Sequence, residues 1–475
     1  MRLQLIAGLV LLPALLPAQA ATLSRSDSAL VGRILLAEDR RDASDAALAE
    51  GLHHGDERIR VLAQRAKGRI GDPKFGARDS LPPLAAPPVY PEPAWRLRLR
   101  ALTPKSDCNS LRVALADSAW PVRFRAVDLV TNACSGDDAI ATTLREWVDA
   151  LPANATRRAA GGVSWHAAAH SSVALARLRP DDARARIPRL AQHRQWQVRM
   201  YAARAAGVLA DTARLRTLAR DADDNVKEAA IDALSKLSGH AEDAVYLAAL
   251  NSRGAQAVRA AAVALKGSPR SDVPAAASAV FKRWVALGNA SSRDARVALL
   301  GAAGRPPSED SPPAGRIDLL PRAVALALGA DIRLRVTMSP ASGGGSFVVR
   351  LRGDVAPLMA SRILALSRAG YYDGLSWQRV EHDFVIQGGS PGANEYVGLP
   401  EFMRDELGTI PHPRGTVGMS TRGHDTGDAQ WFINLRDNAR LMGDYTVFGE
   451  VVSGIDVVDG VLEGDVIASI EEVTP

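Results

Sequence analysis

Three side chains in one short run have the types and spacing for chemistry at a polypeptide backbone. Arg379, Phe384 and Gln387 stand five and three residues apart within 377–389, which reads Trp-Gln-Arg-Val-Glu-His-Asp-Phe-Val-Ile-Gln-Gly-Gly. The run is apolar and β-prone, and it closes on a glycine pair that permits a sharp turn. Side chains two apart on a strand share a face. A bulge or loop near His382 and Asp383 would reset that phase and bring all three groups to one surface. A plain core strand has no use for a guanidinium, an aromatic ring and a carboxamide. A polar site that reads a backbone, with one hydrophobic slot, needs all three.

This stretch resembles the cyclophilin signature: an aromatic, two residues to Arg, five to Phe, three to Gln, then Gly-Gly. Three more blocks of that family's pattern follow in order. Gly415-Thr-Val-Gly-Met-Ser looks like the strand carrying the family's pocket methionine, here Met419. Ala429-Gln-Trp-Phe-Ile is similar to the family's glutamine-and-two-phenylalanine segment, giving Gln430 and Phe432. Tyr445-Thr-Val-Phe-Gly-Glu-Val-Val is similar to the segment that starts at the pocket rim. Together the four blocks fall within residues 377–452.

The resemblance implies a peptidyl-prolyl cis-trans isomerase. Rotation about an Xaa-Pro amide meets a barrier of roughly 18–20 kcal/mol, because resonance gives the C–N bond partial double-bond character. Unaided it takes tens to hundreds of seconds. A site that holds the ring, fixes the flanking backbone and donates a proton to the prolyl nitrogen needs neither metal nor cofactor. Lowering the barrier by about 7 kcal/mol gives a rate gain on the order of 10⁵. Arg379 is the implied donor, since guanidinium stays charged and offers a fork of N–H groups; the plainer reading is a surface ion pair with Glu381 or Asp383. Gln387 is the implied partner of the substrate backbone. Phe384, Met419 and Phe432 form the implied proline pocket, Gln430 orients Arg379 or the backbone, and Tyr445 supplies a rim hydrogen bond.

Departures from the pattern bear on ligand preference more than on catalysis. Val385 replaces the family's methionine after the signature phenylalanine, and Ser420-Thr421 replaces Ala-Asn. Arg440 falls roughly where animal relatives carry the tryptophan associated with cyclosporin binding. Ser361, Arg362 and Ile363 stand where Glu-Asn-Phe is usual, and the loop with Asp425, Gly427 and Asp428 is an insertion.

The elements that must position these groups belong to the last third of a 475-residue chain, long enough for more than one domain. Strand-like alternation begins at 332–338 and 347–351, across a Ser-Gly-Gly-Gly-Ser turn, and 355–368 reads as a helix with Pro357 in its first turn. The resemblance implies an eight-stranded closed barrel with flanking helices over 329–475. Ahead of it, 304–328 has the composition of a linker, and 95–303 reads as helices rich in Ala, Leu, Val and Arg. A weak motif recurs there and just before: a turn, a branched apolar residue, then Arg or Lys. Instances are Ile59, Val122, Val198, Val226 and Val258, the last three spaced 28 and 32 residues apart. That resembles HEAT-like repeats, whose stacked helix pairs offer binding surface rather than chemistry; an irregular helical domain is the alternative. Residues 81–94 are a proline-rich crossing, and 21–80 form a separate amphipathic helical segment.

Residues 1–20 combine Arg2, an apolar run and Ala-Gln-Ala, the layout of a cleaved secretory leader. No other stretch is apolar enough to span a bilayer, so the expectation is an exported, periplasmic or extracellular protein. Cys108 and Cys134 are the only cysteines, an even number suited to a disulfide in an oxidising space; two buried thiols are the alternative. Residues 331–475 hold 12 Arg and no Lys against 20 acidic residues, leaving a net +13 for residues 1–330. Solvated arginine-rich helix faces account for that excess better than nucleic acid does. His166 and His170, four apart, could share a helix face, but no third metal ligand accompanies them. The partners expected are proline-containing polypeptides and a protein bound to the helical repeats. The competing reading is a non-catalytic proline-peptide binder, or a scaffold in which the repeats are the main functional unit.

Overall fold

The computed structural model describes residues 23–72, 86–152, 165–310 and 321–474. The leader expected at 1–20 lies outside them. Among the described residues no helix is long and apolar enough to cross a membrane.

In the C-terminal section the alternation folds as read. Arg333–Met338 (β1) buries Leu334, Val336 and Met338, and Ser346–Leu351 (β2) buries Phe347, Val349 and Leu351. Six further strands follow: Arg379–Val380 (β3), Val385–Gly388 (β4), Thr416–Met419 (β5), Trp431–Asn434 (β6), Val447–Ser453 (β7) and Ile467–Val473 (β8). They form one antiparallel sheet in the order β3-β4-β6-β5-β7-β2-β1-β8. The helix Pro357–Arg368 packs on β7 and β8. No side chain of its own caps its start. Instead the buried Glu406 carboxylate accepts the Leu358 and Met359 N–H groups at 3.2 and 2.7 Å.

The expected closed barrel is corrected to an open one: β3 and β8 are the two edges of the ladder. Residues 374–377 and 464–467 cross the gap around a single bridge between Ser376 and Val466. The Gly374 N–H donates to the Ile467 carbonyl at 2.9 Å and the Trp377 N–H to the Asp465 carbonyl at 2.8 Å. Gly374 and Gly464 both sit at φ +81°, so the two chains turn where a continuous ladder would need extended backbone.

The helical section divides unlike its sequence. Helices Arg25–Arg40, Ala46–Leu52 and Glu57–Gly71 share one hydrophobic core with the β-sheet, through Leu30, Ile34, Leu35 and Leu62. Glu38 is buried there with Arg65 and Arg69, at 3.1 and 2.8 Å. Burial alone would raise its pKa; the two guanidinium groups outweigh that and hold the carboxyl below its usual range. Arg65 and Arg69 also donate to the Asp354 and Val355 carbonyls at 3.1 and 2.8 Å, which ties the segment to the loop after β2. Of the linker expected at 304–328, residues 311–320 lie outside the described residues, while Pro321–Ala327 is helical, with Ala323 and Leu326, one turn apart, buried in the same core.

Residues 86–93 carry no regular secondary structure. Beyond them, helices His166–Leu178, Trp196–Val208, Asp224–Ser238, Ala255–Leu265 and Arg293–Ala302 stack in succession, and the helices between them pack against their neighbours in the chain. The recurring branched residue is the anchor of this stack: Val198, Val226 and Val258 are fully buried. The cation after it turns outward to a carboxylate, Arg199 to Asp221, Lys227 to Asp224 and Arg259 to Glu228, at 2.8, 2.7 and 2.8 Å. Cys108 opens the helix Cys108–Leu115, and Cys134 ends a short turn after Trp120–Leu129. The two are disulfide-bonded with their Cα atoms 5.5 Å apart.

Candidate active site

β3 and β4 form a hairpin whose turn does what a bulge was expected to do. The Phe384 N–H donates to the Glu381 carbonyl at 2.8 Å and the Glu381 N–H to the Val385 carbonyl at 2.9 Å. Arg379 thereby lies directly opposite Gln387 in the ladder. Arg379 Nη1 donates to Gln387 Oε1 at 3.3 Å and its Nε to Glu381 at 2.9 Å; Nη2 pairs with the same Glu381 carboxylate. The surface ion pair with Glu381 is therefore present, and Arg379 is at the same time held beside Gln387. A guanidinium has five N–H groups; these contacts occupy three and leave two.

Gln387 is buried, and its Nε2 donates to Gln430 Oε1 at 3.4 Å. Gln430 also accepts from Gln378 at 3.0 Å, and its own amide N–H groups are held by the Glu395 and Val397 carbonyls at 3.1 and 3.3 Å. The three sequence-selected polar residues are one hydrogen-bonded chain, Gln430 to Gln387 to Arg379. Gln430 reaches Arg379 through Gln387.

The apolar residues separate into two groups. Val385, Phe432 and Leu441 form a small buried cluster with Phe384 and Tyr445 packed against it. Tyr445 meets Phe432 edge-on at 5.7 Å, and the buried His412 stacks on the other side at 6.1 Å. Burial depresses the His412 pKa to about 4, although its hydrogen bond to the Tyr445 carbonyl acts in the opposite sense. Gly418 makes room for Phe432: a Cβ there would lie 2.4 Å from the ring. Met419 belongs to the other group. It is fully buried in the main core and packs beside Gly427, so the structure does not bring it to the cluster. Val385 occupies the place expected of a methionine there, and Leu441 was not anticipated. Arg440 lies over the Phe384 ring at 4.4 Å, with Arg379 at 5.7 Å.

Arginines of the helical section hold the hairpin turn. Arg96, fully buried on the helix Ala94–Ala101, donates to the His382 carbonyl at 2.9 Å and pairs with Asp459 at 3.0 Å; Arg100 pairs with Asp383 at 2.6 Å. Arg379 and Gln387 open onto a cavity of about 860 Å³ whose far wall is helical, formed by Trp196–Val208 and Asp224–Ser238. Glu228 on that wall is pushed up to about 7 by burial, which outweighs its partner Arg259. Phe384 lines an adjacent cavity of about 560 Å³ with Tyr201, His166 and His170. His166 contacts the Glu463 carbonyl at 2.6 Å and His170 contacts Asp128 at 2.8 Å. Among the described residues no cluster of three or more His, Cys, Asp or Glu is arranged to hold a metal ion.

The architecture is a single eight-stranded antiparallel sheet whose β3–β4 hairpin carries a hydrogen-bonded polar chain beside a cavity. The family model for "Cyclophilin type peptidyl-prolyl cis-trans isomerase/CLD" matches residues 335–472. A peptidyl-prolyl cis-trans isomerase of Helicobacter pylori (strain ATCC 700392 / 26695) is 35% identical over 130 residues, which is 26% of this chain and 80% of the relative. Peptidyl-prolyl cis-trans isomerase B of Bacillus subtilis (strain 168) is 33% identical over 129 residues, 27% of this chain and 90% of that protein. The ppi1 isomerase of Schizosaccharomyces pombe (strain 972 / ATCC 24843) is 36% identical over 118 residues, 24% and 76%. The chain belongs to the cyclophilin-type peptidyl-prolyl cis-trans isomerases, and it is an enzyme of that class whose substrates are proline-containing peptides.

Proposed function

We propose that this isomerase acts on Xaa-Pro bonds of exported proteins, with Arg379 donating to the prolyl nitrogen and the helical section holding the client. The observation that carries the catalytic part is the chain Gln430–Gln387–Arg379, which ends in a guanidinium with two uncommitted N–H groups facing an open cavity. As the amide twists, its nitrogen becomes pyramidal and basic; a hydrogen bond formed only then lowers the barrier and leaves the planar ground state unaffected. Phe384, Val385, Phe432 and Leu441 give the pyrrolidine ring an apolar surface. Gln387, fixed from behind by Gln430, presents its amide to the substrate backbone.

Export is supported by the leader-like 1–20 and by the Cys108–Cys134 disulfide, which suits an oxidising compartment. A HEAT-like character of 95–303 is supported by the serial stacking of helices on Val198, Val226 and Val258. The full chain should accelerate cis-to-trans conversion of an Ala-Pro-Phe peptide. The whole protein is the right material, because 23–72 completes the core of the sheet. A folded full chain that leaves the uncatalysed rate unchanged would refute this assignment.

A further inference from the structure

The helical wall of the 860 Å³ cavity carries side chains that folding does not use. Val208 and Leu237 are 44% and 42% exposed, and they stand with Met200, Ala229 and Ala233 in the same lining as Arg379 and Gln387. The wall is low, because the two helices approach closely where Gly207 meets Ala233; a Cβ on Gly207 would lie 3.0 Å from the alanine methyl.

The wall is also fixed relative to the site. Asn225 donates to the Gly392 carbonyl at 3.0 Å and accepts from Asn394 at 3.1 Å. One helix over, the Tyr201 hydroxyl donates to Glu463 at 2.9 Å. These bonds hold the helices to the loops on either side of Arg379, so the gap between the walls has a set width.

We propose that Trp196–Val208 and Asp224–Ser238 form a second substrate wall, on which Val208 and Leu237 take apolar side chains flanking the proline. The occupant is an extended, apolar segment of an unfolded chain. A cleft with a wall on each side admits a strand-like segment and excludes a proline on a folded surface. Carboxylates (Asp232, Glu395) and cations (Arg204, Lys236) both line the cleft, so selection between flanks falls to the apolar patch, on which a glutamate gains nothing. This inference rests on the Arg379 site reading, and its test separates the two.

The test compares full-length protein on a tetrapeptide and on two twelve-residue peptides with the same central Ala-Pro, flanked by leucines or by glutamates. Wild type is expected to show about five- to twenty-fold higher kcat/KM on the leucine peptide than on the tetrapeptide, the gain from burying one or two partly exposed side chains, and no gain on the glutamate peptide. The double variant Val208→Glu, Leu237→Glu should bring that advantage below about two-fold, and the serine pair should reduce it partway. Leu287→Glu, more exposed still but outside the lining, should keep the wild-type ratio. Binding of the leucine peptide to Arg379→Ala, followed by fluorescence anisotropy, should persist and be lost when the glutamate pair is added. A double variant that keeps the full leucine advantage, or binding indifferent to the glutamate pair, would overturn the wall. Loss of tetrapeptide turnover in wild type alone would instead strike the Arg379 reading.

Discussion

Arg379 and Gln387 face each other across a two-residue ladder, 3.3 Å from guanidinium nitrogen to amide oxygen, and Gln430 holds Gln387 from behind. The geometry makes Gln387 a fixed rest for a half-exposed cation.

Removing that cation should cost rate and little else. Arg379→Ala is expected to lower kcat/KM on an Ala-Pro-Phe peptide by roughly ten- to a thousand-fold, the range for loss of one transition-state donor. Its melting temperature should stay near wild type, because the pair with Glu381 is exposed. Arg379→Lys should recover only a small part of the rate, since one ammonium cannot keep Glu381 and Gln387 and still reach the substrate. Equal rates for lysine and arginine would remove the need for the fork.

Gln430→Ala should act through position. It frees Gln387 and Arg379 to reorient, so the expected loss is about ten-fold, mainly in kcat, and smaller than that of Arg379→Ala. Gln430→Glu keeps an acceptor for Gln387 but loses the N–H donors to the Glu395 and Val397 carbonyls, and should fall between. If every position-430 variant matched wild type in both kcat and KM, the chain would have no positioning role.

His412 gives a pH dependence of known sign. Its folded pKa, about 4, lies below the ordinary value of 6.5, so the unfolded chain binds more protons between those values. Its contribution is complete above pH 6.5 and is lost as pH falls toward 4, by on the order of 3 kcal/mol in all. Glu406, raised to about 7 mainly by burial, contributes the opposite slope from 4.5 to 7. The comparison is therefore wild type against His412→Gln by urea unfolding at several pH values. The stability gap should shrink in acid; a gap independent of pH would mean that His412 does not stay neutral in the fold.

Arg96 joins the two sections at the hairpin turn. When Arg96 is lost, Asp459 keeps Arg414 at 2.7 Å and the Leu435 carbonyl keeps Arg414 at 3.2 Å, but the His382 carbonyl loses the Arg96 donor. Arg96→Ala should destabilise by about 3 kcal/mol, and kcat/KM should fall because the turn carrying Phe384 loosens. Calorimetry showing wild-type stability would mean that the turn holds itself.

The Cys108–Cys134 bond closes a separation of 26 residues within the helical section. The Cys108→Ser, Cys134→Ser protein should lose about 3 kcal/mol from that section and keep tetrapeptide activity, because neither cysteine lies near Arg379. A mutant as stable as wild type in denaturant titration would contradict this.

Much of the site was legible because its signal is local. Arg379, Phe384 and Gln387 fall on one hairpin, and the turn between them was implied by the break in alternation at His382 and Asp383. Met419 shows where that legibility stops. β4 and β5 are buried on both faces, so their sequences carry no alternation to say which side chains point to the slot and which to the core. Leu441 was hidden for another reason: it sits in a short turn, where no period applies.

The sequence by itself determined the enzyme class, the order of the candidate site residues and the helical character of the described part of 95–303, because each is written in short spacings. Only the tertiary structure decided that 23–72 completes the core of the sheet, that Arg96 and Arg100 pin the β3–β4 hairpin, and that two stacked helices line the cavity beside Arg379. Those relations join residues hundreds of positions apart through buried ion pairs and carbonyl contacts. A charge in such a pair looks, in sequence, like any arginine on a solvated helix face, and burial alone tells the two apart.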